Sequence, residues 1–373
     1  MASSSFHTFR RVGIVSSAQT NWRHSWSQAQ HIDLISSAVI KALNGSGLRI
    51  EDVDFVIDSG SDVLDGRSIS NCGFLGAMGA HHKEESRVED DGLWAAQYGV
   101  NKIASGSADV GLIIAYAKPS EASVDQFHST IAEPFCQRPI GFDEATAQGF
   151  LAQAYLRRHG LSEKTFAEVT AYAWANASIN PNLNDVSAIG IDQILSSPFA
   201  ATPLRELMMA RPVDGAVVVV LTSERVAARV TRTPVWITGM GSSMDSGNYA
   251  MRDSTFSACE IASKAAHRVA GIHPKDIGLV EVSATSAVSE LLTLEALGIA
   301  EAGCGIGLYR GEHKTVVNLS GGSLPAWPVF ATGLVRLAEA SDRLVAGKGN
   351  RKAIVHASSG LGAQSHCVFI IEA

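Results

Sequence analysis

An internal duplication restricts the fold more than any other feature of this chain. Val12-Gly13-Ile14-Val15 reads as a strand and residues 32–43 as a helix. Residues 47–59 then carry a glycine stop, a short helical turn with Asp52, and an apolar strand. The same series returns in the second half of the chain. Val235-Trp236-Ile237-Thr238 is a strand, residues 258–269 a helix, and residues 271–283 a glycine stop, a turn with Asp276 and a strand. A repeat this long is a copied half-domain and not a solenoid unit. At 373 residues the chain has room for two or three core-forming units.

Between the first two strands of the first copy and the end of that copy lies a strand–elbow–helix–strand unit. Residues 86–89 lead into Asp90-Asp91-Gly92, and Leu93, Ala96, Val100, Ile103 and Ala104 then recur on one helical face. Gly106 stands where a left-handed C-terminal cap belongs. Residues 110–115 form an apolar run suited to a strand covered on both faces. Elbows of this kind place a nucleophile at a helix N-terminus, where the dipole and free amides favour negative charge. Here the tip is a glycine behind two aspartates.

The two copies meet at Val230-Thr231-Arg232-Thr233-Pro234, a largely polar linker ending in proline. Residues 118–212 interrupt the first copy only, with helices expected at 143–159 and 163–179, the latter stopped by Asn180-Pro181. A long insertion in one copy is where substrate-covering segments sit. The expected organisation is therefore residues 1–117 with 213–231 as the first half, 118–212 as the insertion, and 232–373 as the second half. Two glycine-rich loops close the chain. Residues 318–328 precede a helix at 329–339, and residues 358–362 join strands 353–356 and 367–371 as a hairpin would.

Composition removes several functions. A net charge of −7 gives no footprint for nucleic acid or an anionic membrane surface. No apolar run approaches a membrane span, and residues 1–7 lack the apolar core of a secretion leader. The five cysteines are odd in number and scattered, so neither a disulfide framework nor a zinc ribbon is expected, and a reducing cytoplasm is the simplest location. His81-His82 lacks partners at metal spacing, and no metal site is expected. Gly239-Met240-Gly241 is too short for a dinucleotide fingerprint.

Four stretches carry a recognisable pattern: residues 197–205 with Asp214-Gly215-Ala216, residues 271–282, residues 318–333, and Gly360-Leu361-Gly362-Ala363. In these the chain resembles the thiolase superfamily, and it is similar to the thiolases related to sterol carrier protein and their archaeal relatives. The resemblance covers nearly the whole chain. It implies an α/β thiolase fold: duplicated βαβαβαββ halves in a five-layered α-β-α-β-α sandwich. It also implies an insertion covering coenzyme A and dimers paired through the first half near residues 86–89.

The resemblance fails at the chemistry. Family members carry a nucleophilic cysteine at the elbow, where this chain has Gly92. Where they have histidine after the strand ending Glu281-Val282, this chain has Ser283-Ala284-Thr285. Their Gly-His-Pro is replaced by Ala326-Trp327-Pro328. An acyl-cysteine needs a thiolate and an activating base, so ordinary thiolysis is not expected.

The residues left define two sets of candidates. Gly92, Ser359 and Gly360 offer amides for an oxyanion hole, or simply permit tight turns. His356 is the candidate acid or base, against a structural role at a strand end. Asp90 and Asp91 are candidate carboxylate bases raised by burial, or caps of the following helix. Trp327 fills space or lines an acyl pocket, and Ser283 and Thr285 supply hydrogen bonds. Arg157, Arg158, Lys164 and Arg205 are candidates for coenzyme A phosphates, against plain surface solvation.

Three functions fit these readings. One is a thiolase-like subunit of a hetero-oligomer handling acyl-CoA, completed by a catalytic paralogue or a small zinc-ribbon/OB-fold protein. The second is an acyl-CoA carbon–carbon lyase or acyltransferase working without an acyl-cysteine. The third is an acyl-CoA or lipid carrier. No permanently bound cofactor is expected, with a coenzyme A thioester as the ligand.

Overall fold

The computed structural model describes residues 9–347 and 351–373, so the leader reading at residues 1–7 lies outside the described residues. Among the described residues twelve strands follow in chain order: β1 (Val12–Gln19), β2 (Phe55–Ser59), β3 (Glu84–Val88), β4 (Val110–Ala117), β5 (Phe199–Ala201), β6 (Leu204–Arg205), β7 (Gly215–Ser223), β8 (Val235–Met244), β9 (Leu279–Val282), β10 (Val316–Val317), β11 (Lys352–Ser359) and β12 (Ser365–Glu372). Apart from the β5–β6 ribbon they hydrogen-bond in the order β10-β9-β11-β12-β8-β1-β7-β4-β2-β3.

That order contains the duplication. In the first set, β3-β2-β4-β7-β1, and in the second, β10-β9-β11-β12-β8, the third strand of the half is outermost, followed by the second, fourth, fifth and first. The pairings also agree in sense: parallel around β2 and β9, antiparallel from β4 to β7 to β1 and from β11 to β12 to β8. The two sets join only where Val12, Gly13 and Ile14 of β1 face Ile237, Trp236 and Val235 of β8.

Strand alternation then builds the layers. Val217, Val219 and Leu221 of β7 face the same core as Val355 and Ala357 of β11 and Cys367, Phe369 and Ile371 of β12. Between those faces lie the Gly92–Ala104 and Thr332–Val345 helices, through Leu93, Ala96, Val100, Leu334 and Leu337. The alternate residues Ala216, Val218 and Val220 pack under the His31–Ser46 helix. Ile354, Val368 and Ile370 pack under the Ser257–Ala270 helix. The result is helix, sheet, two central helices, sheet, helix, the duplicated five-layered sandwich expected from the sequence.

The two outer helices also end alike. Gly47 and Gly271 cap them in the left-handed region, at φ 69° and 67°, and each is followed by a short 3-10 turn, Ile50–Asp52 or Pro274–Asp276. Inserted helices Glu144–His159 and Glu163–Ala177 pack through Leu151, Tyr155, Phe166 and Val169 onto the second half. Among the described residues no helix is long and apolar enough to cross a membrane.

Candidate active site

At the elbow Asp91 caps the Gly92–Ala104 helix, accepting from the Leu93 amide at 2.9 Å. The same carboxylate accepts from the Gly333 amide at the start of the other central helix, at 3.1 Å on Oδ1 and 2.9 Å on Oδ2. One carboxylate thus ties together the N-termini of equivalent helices from the two halves. Burial pushes it up to about 8, against the lowering effect of the Gly333 and Leu93 amides. Asp90 is also raised by burial, opposed by the Ser359 side chain and the Asp91 amide.

Gly92 itself is walled in. A Cβ there would lie 2.7 Å from Leu334 Cβ and 2.9 Å from Ala115 Cβ. These are fixed atoms of a central helix and a central strand, so no side chain of any kind fits without backbone movement. The absence of a side chain at this position is therefore built into the packing. Gly92 is buried beneath Asp91 and lines neither cavity described next.

In front of the elbow lies a chamber of about 40 Å³, lined by Asp91, Thr285, Trp327, Ser358, Ser359, Gly360 and the aromatic pair Phe127 and His128. It shares His128, Thr285 and Trp327 with a larger cavity of about 690 Å³. The chamber admits a water or a carbonyl group, whereas the cavity has the volume of a small-molecule pocket. The junction is well supported. His128 stacks on Trp327 with ring centroids 5.8 Å apart and an interplanar angle of 15°, and Phe127 meets Phe330 edge-on at 5.4 Å. Thr285 donates to Glu144 Oε1 at 2.6 Å, and Glu144 also accepts from Gln148 Nε2 and the Gly362 amide. Val329, two residues beyond Trp327, sits at φ 43°, a strained backbone for a β-branched residue and one often found at functional sites.

Among the candidates from sequence, Asp91, Thr285, Trp327, Ser359 and Gly360 converge on the chamber. Ser283 does not: it is buried, and its amide donates to the His356 carbonyl. The reading of His356 as the acid or base needs correction. On β11 it shares the face of Ile354, toward the Ser257–Ala270 helix and away from the central helices, and its Nε2 meets His366 Nδ1 at 3.0 Å. Burial and the neighbouring His366 hold it far below the usual imidazole range, hence neutral.

The four cations also part company. Arg205 is held by Glu163 and the Ser197 carbonyl and lies 3.7 Å over the Phe199 ring, touching the large cavity only through that ring. Arg158 donates to Ser254 beside a separate cavity, and Arg157 and Lys164 are exposed. None lines the 690 Å³ cavity, whose ionisable lining residues are His24, Asp125, His128, Glu144 and Glu206.

Sequence reasoning missed His128 and Glu144. His128 lies in an inserted helix, Val124–Ile131, that matches no motif; its adjacent buried pair with Phe127 was the available signal. Glu144 opens the Glu144–His159 helix, where an acidic residue is explained by the helix dipole alone.

Comparisons with known proteins agree with this fold. The family described as thiolase C-terminal domain-like matches residues 241–373. The acetyl-CoA acetyltransferase of Methanothermobacter thermautotrophicus is 26% identical over 360 residues, covering 92% of this chain and 93% of that protein. Among solved structures, the Ltp2-ChsH2(DUF35) aldolase superposes with a TM-score of 0.82 at 20% identity, covering 97% of this chain and 98% of that one. Human mitochondrial 3-ketoacyl-CoA thiolase superposes with a TM-score of 0.78 at 17% identity, covering 98% and 99%. The chain thus has a thiolase C-terminal domain-like second half, resembles an archaeal acetyl-CoA acetyltransferase over most of its length, and shares the thiolase fold throughout.

Proposed function

We propose that this chain binds an acyl thioester without covalent attachment and acts as a carbon–carbon lyase subunit of a hetero-oligomer. The observation that carries the reading is the junction of the two cavities. An acyl-sized space ends on an imidazole, His128, and on the Thr285–Glu144 pair, with no thiol among its lining residues. A β-hydroxyacyl thioester suits such a site. A base takes the hydroxyl proton, the Cα–Cβ bond breaks as a carbonyl forms, and the thioester enolate is reprotonated at Cα. Enolate charge at the chamber would meet the amides around Ser359 and Gly360. The similarity to a structure titled as an aldolase with a DUF35 partner supports both the chemistry and the small companion protein.

With no lysine or arginine along the cavity, the phosphates of coenzyme A are held at its mouth or by the companion chain. Pairing through β3 gives the dimer. The test is to purify the native complex and follow a β-hydroxyacyl-CoA by mass spectrometry. Release of a carbonyl compound and a shortened acyl-CoA is expected; an unchanged substrate overturns the lyase reading.

A second reading has its own support. Asp91 is fully committed to two helix termini and Gly92 admits no side chain. A subunit that only shapes the complex, with a catalytic paralogue as partner, fits an elbow so completely given over to structure.

A further inference from the structure

The duplicated sandwich buries a second group of reactive side chains, on the far side of the C-terminal sheet from the chamber. His356 of β11 pairs with Val368 and His366 of β12 pairs with Ser358, so the two histidines are diagonal neighbours. Both face outward, as Ile354 and Val368 do. The Ser257–Ala270 helix lays Cys259 over them. One donor atom from each of the three residues, the Cys259 sulfur and a ring nitrogen of each histidine, lies within 4.8 Å of the other two. Their relative exposures are 0%, 0% and 1%.

The surroundings give these groups little else to do. The layer is formed by Phe256, Ala262, Val282, Ile354 and Val368. Within it the two imidazoles share one hydrogen bond, and among the described residues His356 Nδ1 makes no well-formed hydrogen bond, the backbone of Ser283 and of Ala363 being what else the two rings approach. A buried polar atom left unpaired costs about 1–3 kcal/mol. Three apolar side chains of similar volume would pack here without that cost. Three separate elements instead deliver two imidazoles and a thiol to one point.

We propose that Cys259, His356 and His366 form a buried site for a closed-shell d10 cation, Zn2+ or Cu+. Thiolate and imidazole donors together select these borderline-to-soft ions over magnesium or calcium. Both ions lack a geometric preference from d electrons; two nitrogens and one sulfur fill the shell of a three-coordinate Cu+, whereas Zn2+ would add a fourth ligand such as water. Each histidine would supply a ring nitrogen and Cys259 a thiolate, whose proton is released when the cation binds. With Asp91, His128 and Glu144 on other elements, the site is structural: it pins the outer helix to the last hairpin.

The test uses the full chain, expressed separately with zinc and with copper and purified without chelators. Elemental analysis is expected to find about one ion per chain, and the metal that is retained identifies the occupant. Cobalt substitution is expected to add a thiolate charge-transfer band. His366→Gln and Cys259→Ser should each lower the metal content at least about tenfold, since losing even a group that only orients a ligand costs about 10–100-fold in affinity, with the far-ultraviolet circular dichroism unchanged. Replacing the exposed Cys72, Cys136 and Cys304 by serine should leave the content as it was. Wild-type protein that retains neither metal overturns the site, and so does metal lost with the exposed cysteines. The wild-type and exposed-cysteine measurements decide the matter even if a buried variant fails to fold.

Discussion

Asp91 and Gly333 stand 242 residues apart, yet the Gly333 amide donates to both oxygens of the Asp91 carboxylate. The contact is possible because residue 333 has no side chain; a Cβ there would come within 2.1 Å of Asp91 Oδ1. The bond joins the two halves at their equivalent helix termini, and it couples folding to pH. The folded carboxyl titrates near 8 and the unfolded one near 3.8. Between those values the folded state keeps a proton that the unfolded state has released, so stability falls as pH rises through the window and levels off above it. Asp91→Asn retains Oδ1 as an acceptor for both amides, sets its Nδ2 in place of Oδ2 beside the Gly333 amide at the loss of one acceptor, and removes the titration. The melting temperature of the variant, measured against that of the parent, should therefore rise from pH 4 to pH 8. A pH-independent difference would contradict the assignment.

Restoring a thiol at the elbow should not restore a thiolase. Gly92→Cys places a Cβ against Leu334 and Ala115, and overpacking of this kind costs about 1–3 kcal/mol. Chemical denaturation should register that loss. Neither the parent nor the variant should gain an acyl group from acetyl-CoA or acetoacetyl-CoA in an intact-mass measurement.

His128 is the imidazole at the cavity junction. A general acid–base group contributes about a hundredfold or more, so His128→Ala should lower turnover of the assembled complex by at least that factor. His128→Gln preserves the flat contact with Trp327 and should bind the acyl thioester as the parent does while remaining nearly inactive. Full turnover by the glutamine variant would remove His128 from the chemistry and favour the scaffolding reading.

The outer edge of the first half is β3, which pairs with β2 alone. We expect a twofold partner strand to cover it, and light scattering should return twice the chain mass of 39.4 kDa. A monodisperse species of single-chain mass at micromolar concentration would refute pairing there.

The duplicated elements were legible because each carries local signals: the glycine stops at Gly47 and Gly271, the valine run of β7, the aspartate-capped helix after the elbow. The glycine at the elbow tip was legible too. The orientation of His356 was not. Both faces of β11 are buried, so its sequence shows no polar alternation to say which face His356 occupies. His128 was hidden for a different reason. Its place at the cavity comes from an inserted helix docking through Phe127 on Phe330, a long-range contact with no trace in local spacing. The cations were misplaced because a long charged side chain binds whatever carboxylate the fold brings near, as Arg205 does with Glu163.

The central layer has a consequence for how the molecule comes apart. Each half supplies a sheet with an apolar inner face and only one of the two helices that cover it. Cutting the chain at residues 231–234 would yield pieces whose β7 or β12 inner faces stand half bare, so neither could persist alone as a soluble fold. The repeats are legible as two copies in sequence but share one buried layer, so they are expected to melt as one cooperative unit, and an enlarged residue at 92 or 333 to loosen both copies together.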